Sequence, residues 1–157
     1  MSLSLGPDLP EVSRAAVLGL ARSGRAAVEA LLARGVAVSA SDTKTEGELE
    51  PVPPREGLSL FLGGHPDALL DGVQLVVVSP GIRMSVPLLD RARAMAIPVV
   101  SEVELASRLL PGLVVGITGT NGKSTTTALT AALLVDAGLD AVACGNLGTP
   151  WIAFAAP

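Results

Sequence analysis

Ala15-Ala16-Val17-Leu18-Gly19-Leu20-Ala21-Arg22-Ser23-Gly24 is the first regular pattern in the chain. Its four leading apolar residues read as a buried strand, and a glycine-bearing turn follows. Ala26 to Arg34 is then a short amphipathic helix ended by Gly35, and Val36-Ala37-Val38-Ser39-Ala40-Ser41-Asp42 is a second strand. Strand, helix and strand in that order make a βαβ unit, whose crossover is expected to be right-handed. Aliphatic runs broken by glycine suit parallel strands buried on both faces.

The turn is nearly a dinucleotide fingerprint, Gly-x-Gly-x-x-Gly, with Ala21 in place of the middle glycine. That glycine lets backbone approach a pyrophosphate, so a methyl group there pushes a ligand outward. Asp42 ends the second strand, where an acidic residue can hold a ribose hydroxyl. An ordinary strand-helix turn accounts for this pattern equally well.

Further β-α steps follow. Thr43 to Gly57 carries Pro51, Pro53 and Pro54 and reads as a loop with room for one helical turn. Leu58 to Leu62 is a short strand broken by Gly63-Gly64-His65-Pro66. His65, the only histidine, has no flanking metal ligands and reads as a surface-loop residue. Val73 to Val78 is the clearest strand, ended by Ser79-Pro80-Gly81-Ile82 at the carboxyl edge, where open α/β sheets bind ligands. Val86 to Met95 is a helix, Ile97 to Val100 a strand and Glu102 to Leu110 a helix. Glu102 and Glu104 in its first turn suit the helix dipole and solvent. Met1 to Val12 holds two prolines and no periodicity and reads as a tail.

Pro111-Gly112 marks a boundary, after which Val114-Val115-Gly116-Ile117-Thr118-Gly119-Thr120-Asn121-Gly122-Lys123-Ser124-Thr125-Thr126-Thr127 restarts the pattern. A strand, a glycine turn and a helix from Lys123 to Ala137 make a phosphate cradle of inward amides at a helix N-terminus. Lys123 can reach β- and γ-phosphates, and the Ser124 hydroxyl can hold Mg²⁺. The strict P-loop pattern fails, since Ile117 stands where its first glycine belongs, but the shorter Gly-x-x-Gly-Lys-Ser form fits. Asp140 to Cys144 reads as another strand before Gly145-Asn146-Leu147-Gly148, and Trp151 packs near the end.

Composition excludes several classes. The 157 residues suffice for one domain or slightly more, with 49% hydrophobic and only 2% aromatic residues, so the core must be aliphatic. A net charge of −4 with no Lys/Arg cluster argues against a nucleic-acid partner. Cys144 is the only cysteine and reads as a small buried hydrophobe; a lone cysteine suits a reducing cytoplasm. No apolar run reaches the roughly 18 residues that span a bilayer, and no secretory leader is evident. The expected localisation is cytoplasmic.

The threonine-rich loop Thr118 to Thr127 resembles the ATP loop of the Mur ligases. Gly19 to Gly24, Ser79-Pro80-Gly81-Ile82 and Gly145-Asn146-Leu147-Gly148 occur in the order seen in the D-glutamate-adding branch of that family. Its folylpolyglutamate relatives have glycine after the loop lysine, where Ser124 stands, and its alanine-adding branch has histidine at the place of Asn121. The resemblance covers residues 14 to 157. It implies a Rossmann-like parallel-sheet domain over residues 13–110 that binds a UDP-sugar. Residues 111–157 would be the beginning of an ATP-binding domain.

By the same resemblance, Arg22, Ser23, Asp42, Thr43 and Lys44 surround the UDP, and Ser79, Pro80, Gly81 and Asn146 line the diphosphate and sugar path. Lys44 stands where arginine is common, keeping the charge without the bidentate geometry. Gly119, Thr120, Asn121, Gly122, Lys123, Ser124 and Thr125 would bind ATP, with Lys123 catalytic and Ser124 a Mg²⁺ ligand. The implied reaction joins D-glutamate to UDP-N-acetylmuramoyl-L-alanine through an acyl phosphate. The family's further magnesium ligand, carbamylated lysine, histidine and amino-acid-binding domain match nothing in this sequence, so the chain alone is expected to be inactive.

Rival readings are a non-catalytic UDP-sugar-binding module and a small regulatory P-loop ATPase. The module leaves the phosphate loop without a role. The ATPase needs an acidic strand end after Ser124, and none follows. A dinucleotide oxidoreductase is disfavoured by Ala21 and by the second phosphate loop.

Overall fold

The computed structural model describes residues 2–145 and 148–156. Five parallel strands form one sheet: β1 (Arg14–Leu18), β2 (Ala37–Asp42), β3 (Leu58–Leu62), β4 (Leu75–Val78) and β5 (Val99–Ser101), in the order β3-β2-β1-β4-β5. Val17 of β1 lies in register between Ala40 of β2 and Val77 of β4. Among the described residues four α-helices accompany them: α1 (Arg22–Leu32), α2 (Pro87–Ala94), α3 (Glu102–Leu109) and α4 (Lys123–Asp136).

Strand alternation divides the core into two layers. Ala15, Val17, Val38, Ala40, Leu75 and Val77 face α1 and α3, meeting Ala27, Val28, Leu31 and Leu105. Ala16, Leu18, Val76 and Val78 face the other way, onto Leu88, Leu89 and Ala92 of α2 and onto Leu69 and Leu70. β1 from Ala15 onward and β4 are therefore apolar at every position, which is why their sequences show continuous runs instead of alternation, while β2 buries Ser39, Ser41 and Asp42 among its apolar residues. The α/β, Rossmann-like parallel sheet is the fold expected from the sequence.

Several elements differ from the sequence reading. α1 begins at Arg22, four residues earlier than Ala26, because Ala21 already stands as its extended N-cap. Residues 2–12 do not trail: Leu3 bridges Val12 in antiparallel fashion, and Leu5 and Val12 are buried. Arg108 reaches back to this segment, holding Leu5 O and the Asp8 carboxylate, and that guanidinium lowers the Asp8 pKa. Val114–Ile117 and Asp140–Cys144 form no ladder. Apolar sequence makes a strand only where a neighbour takes its amides and carbonyls, and no described strand lies beside these two. They flank the Thr127, Thr130, Ala131 and Leu134 side of α4 around an open cleft of about 400 Å³.

The last described segment turns back. Trp151–Ala155 is a short 3₁₀ helix packed on α1 and α3, with Ile152 fully buried and Arg34 donating to the Ala155 carbonyl.

Candidate functional site

The strand order reverses direction between β1 and β4: the chain moves outward from β1 to β2 and β3, then crosses to β4 and β5. Open α/β sheets bind ligands in the crevice above such a point, at the carboxyl ends of the strands. Here that edge carries Gly19 and Leu20 after β1, Asp42 at the end of β2, and Ser79 after β4.

These residues are tied together. Gly19 takes a left-handed φ of 88° and donates to the Ser41 carbonyl. Leu20 N donates to Asp42 Oδ2 at 2.7 Å, and Lys44 N donates to Asp42 Oδ1 at 2.9 Å. The buried Ser79 hydroxyl donates to the Gly19 carbonyl at 3.0 Å, and Ser79 N donates to Leu18 O. Asp42 and Ser79 are thus already engaged by backbone; they shape the edge. Thr43, Lys44, Pro80 and Gly81 are exposed along it, and Ser23 is half-buried in the first turn of α1.

Gly24 explains how α1 comes so close. A Cβ there would stand 1.8 Å from the Gly19 carbonyl oxygen and 2.6 Å from Ser79 Oγ. This is the packing role of the third fingerprint glycine. Among the described residues no side chain caps α1, so its first-turn amides are available at the sheet edge. Arg22 stands beside them and donates to the Gly148 carbonyl. Asn146 lies outside the described residues. On the outer side of β4, Ser79, Pro80, Ile82, Met84 and Ser101 line a second cavity of about 210 Å³.

The phosphate loop forms a separate cluster. Gly119 and Gly122 have φ of 150° and 76°, conformations that favour glycine. Gly122 is the N-cap of α4, with no side-chain cap and no acidic residue in the first turn. The amides of Lys123, Ser124 and Thr125 therefore lack helical partners, and Thr126 makes the first helical bond, to Gly122 O. Lys123 Nζ folds over the loop onto Gly119 O, while Thr120, Asn121, Ser124 and Thr125 are exposed. Open amides, the positive end of a 14-residue helix and one ammonium fit a polyphosphate. Among the described residues no group of three His, Cys, Asp or Glu could hold a metal. A cation at Ser124 would need phosphate oxygens as its other ligands, which is how Mg²⁺ accompanies nucleotides.

Two residues behave differently from their sequence reading. His65 is half-buried, its Nδ1 2.7 Å from Ser41 Oγ, instead of lying free in a surface loop. Burial pushes its pKa below the usual histidine value, opposed by the Asp42 carboxylate. Glu102 is only 6% exposed, with Oε2 unpartnered among the described residues, instead of facing solvent; burial raises its pKa. Cys144 is half-buried and its thiol pKa is raised by burial, away from a reactive thiolate.

Residues 13–101 match the family model described as Mur ligase MurD-like, N-terminal domain. UDP-N-acetylmuramoylalanine--D-glutamate ligase of Koribacter versatilis is 41% identical over 90% of this chain and 32% of its own length. The proteins of that name from Anaeromyxobacter dehalogenans and Lactococcus lactis subsp. cremoris are 48% and 46% identical, over 88% and 85% of this chain and 30% of their own. This chain thus spans about a third of the length of the relatives it matches. A pseudomurein peptide ligase type C from Methanothermus fervidus aligns with a TM-score of 0.49 and 24% identity, over 81% of this chain and 27% of that one. The matched residues run from β1 to the end of β5 and contain the tied edge at Gly19, Asp42 and Ser79, so the chain belongs to the Mur ligase family.

Proposed function

We propose that this chain supplies the sugar-nucleotide edge and the phosphate loop of an ATP-dependent ligase that adds D-glutamate to UDP-N-acetylmuramoyl-L-alanine in cell-wall precursor synthesis. The observation that carries the reading is the convergence of the β1 turn, Asp42 and Ser79 at the strand-order reversal. The relatives' shared name supplies the substrate pair. Residues 13–110 form the UDP-sugar unit in this reading, and residues 111–157 begin the ATP unit; the setting is the cytoplasm.

Each residue has a definite task. Asp42 fixes the Leu20 and Lys44 amides, which leaves Thr43 and the Lys44 ammonium to meet the nucleotide. Ser79 holds the Gly19 turn closed, and Pro80 and Gly81 carry the path of the diphosphate and sugar outward with Asn146. Arg22 and the α1 amides supply positive potential beside that path. Lys123 leaves Gly119 O and pairs with phosphate oxygens, acting electrostatically on the transferring group, while Gly119 to Thr125 orient it. Bound Mg·ATP would supply the phosphoryl group that activates the alanine carboxylate.

Calorimetry of this chain with UDP tests the reading. Binding is expected, weakened at least tenfold in Asp42→Ala. No binding at millimolar UDP by the folded chain would overturn the sugar-nucleotide assignment. Phosphate release with UDP-N-acetylmuramoyl-L-alanine, D-glutamate and Mg·ATP is expected to show no D-glutamate dependence with this chain alone. Turnover there would overturn the division of labour.

A further inference from the structure

We propose that His65 is a positioning residue which, through Ser41, holds the Asp42 turn in the shape the sheet edge requires. Ser41 is fully buried at the end of β2, and its hydroxyl has one partner among the described residues, His65 Nδ1 at 2.7 Å. The segment carrying His65 grips β2 by its backbone as well. Gly64 N donates to Asp42 O at 2.9 Å and Gly63 N donates to Lys44 O at 3.0 Å. Ser41 O in turn accepts from Gly19 N, and Asp42 accepts from Leu20 N. Hydrogen bonds joined by the Ser41–Asp42 backbone therefore link the imidazole to the β1 turn.

The arrangement suits a neutral ring. His65 Nε2 is buried without a partner among the described residues, so a second N–H in the imidazolium would find no acceptor there. Among charged groups on the surrounding elements, Asp42 acts on the ring, Lys44 is exposed, and Asp67 is paired with Arg91. Asp42 already accepts from two amides, which limits what it can offer an imidazolium.

The proposal deepens the sugar-nucleotide reading and rests on it for its consequence, but its test has a ligand-free arm. Hydrogen exchange at the Leu20 and Lys44 amides reports the Asp42 turn directly. His65→Leu is expected to raise both rates at least tenfold, and Ser41→Ala, which removes only a hydroxyl, to do the same. His65→Asn, which keeps a polar atom near the Nδ1 position, should stay within about threefold of the parent. Unchanged rates in His65→Leu or Ser41→Ala overturn the proposal, as does an Asn variant no better than Leu. The single histidine also gives one imidazole NMR signal, expected to titrate below about 6.5 and to move in Ser41→Ala; a signal indifferent to Ser41 overturns it too. UDP affinity should follow the exchange rates. If the parent chain binds no UDP, the sugar-nucleotide reading falls, while exchange and titration still decide the role of His65.

Discussion

Both oxygens of the Asp42 carboxylate are taken by backbone amides, whereas the buried Glu102 carboxylate has an oxygen with no partner among the described residues. The contrast shows what sequence can and cannot reveal about a single residue. An acid at a strand end after a glycine turn is informative because the turn brings amides to it. An acid in a first helical turn looks the same whether it points to solvent or inward, and Glu102 points inward. Its pH dependence follows from the raised pKa, whose cause is burial. The folded state then binds more protons than the unfolded state between the two pKa values, so stability falls as pH rises through that interval. Glu102→Gln should therefore stabilise the chain at pH 7, where the parent must bury a charge or hold a proton. It should give little or no gain at pH 4. Urea denaturation at the two pH values measures the difference, and an equal effect at both would exclude ionisation as the cause. His65 was hidden for another reason: its partner Ser41 lies 24 residues away, and no local pattern encodes that contact.

At the scale of elements, β1 and β4 were legible as aliphatic runs closed by a turn residue, and β2, β3 and β5 as short apolar stretches carrying serine that end at a glycine, an acid or a helix start. The helices were legible by their amphipathic spacing. Boundaries moved where the cap was not a polar side chain, as at Ala21. The apolar runs at Val114–Ile117 and Asp140–Cys144 read as strands for the same compositional reason, yet composition does not supply a neighbour. Trp151–Ala155 could not be assigned from sequence, since five residues carry too little periodicity to show a buried face. Its attachment is nevertheless firm, with Ile152 and Ala155 in the same apolar layer as Leu31 and Leu105. Ile152→Ala removes a fully buried side chain between two helices and should cost about 3 kcal/mol of sheet stability. Chemical denaturation followed by exchange of the β1 amides reads this. A loss below about 0.5 kcal/mol would mean that the segment is only loosely seated.

Across the whole molecule, the two ligand-facing clusters differ in how they are built. The sheet edge is enclosed by buried strands and cross-linked by hydrogen bonds. The phosphate loop sits before α4, which has no buried residue, and Val115, Leu129, Leu133 and Val142 around it are exposed. Among the described residues no side chain of the loop from Gly119 to Thr125 bonds to β1, β2 or β4. Binding at one cluster should therefore be separable from binding at the other. Lys123→Ala removes the loop's ammonium, leaving its amides and the helix terminus, and an ammonium–phosphate contact contributes roughly 1.5–3 kcal/mol as a charged hydrogen bond. Mg·ATP affinity should then fall by about tenfold or more, since 1.4 kcal/mol corresponds to a factor of ten, while UDP affinity stays within about twofold. Asp42→Ala should do the reverse, because its two lost amide contacts lie at the sheet edge alone. Calorimetry of both variants with both ligands completes the comparison. If Lys123→Ala weakens UDP as much as Mg·ATP, the clusters are one coupled site, with the contact from Arg22 to Gly148 the first connection to test.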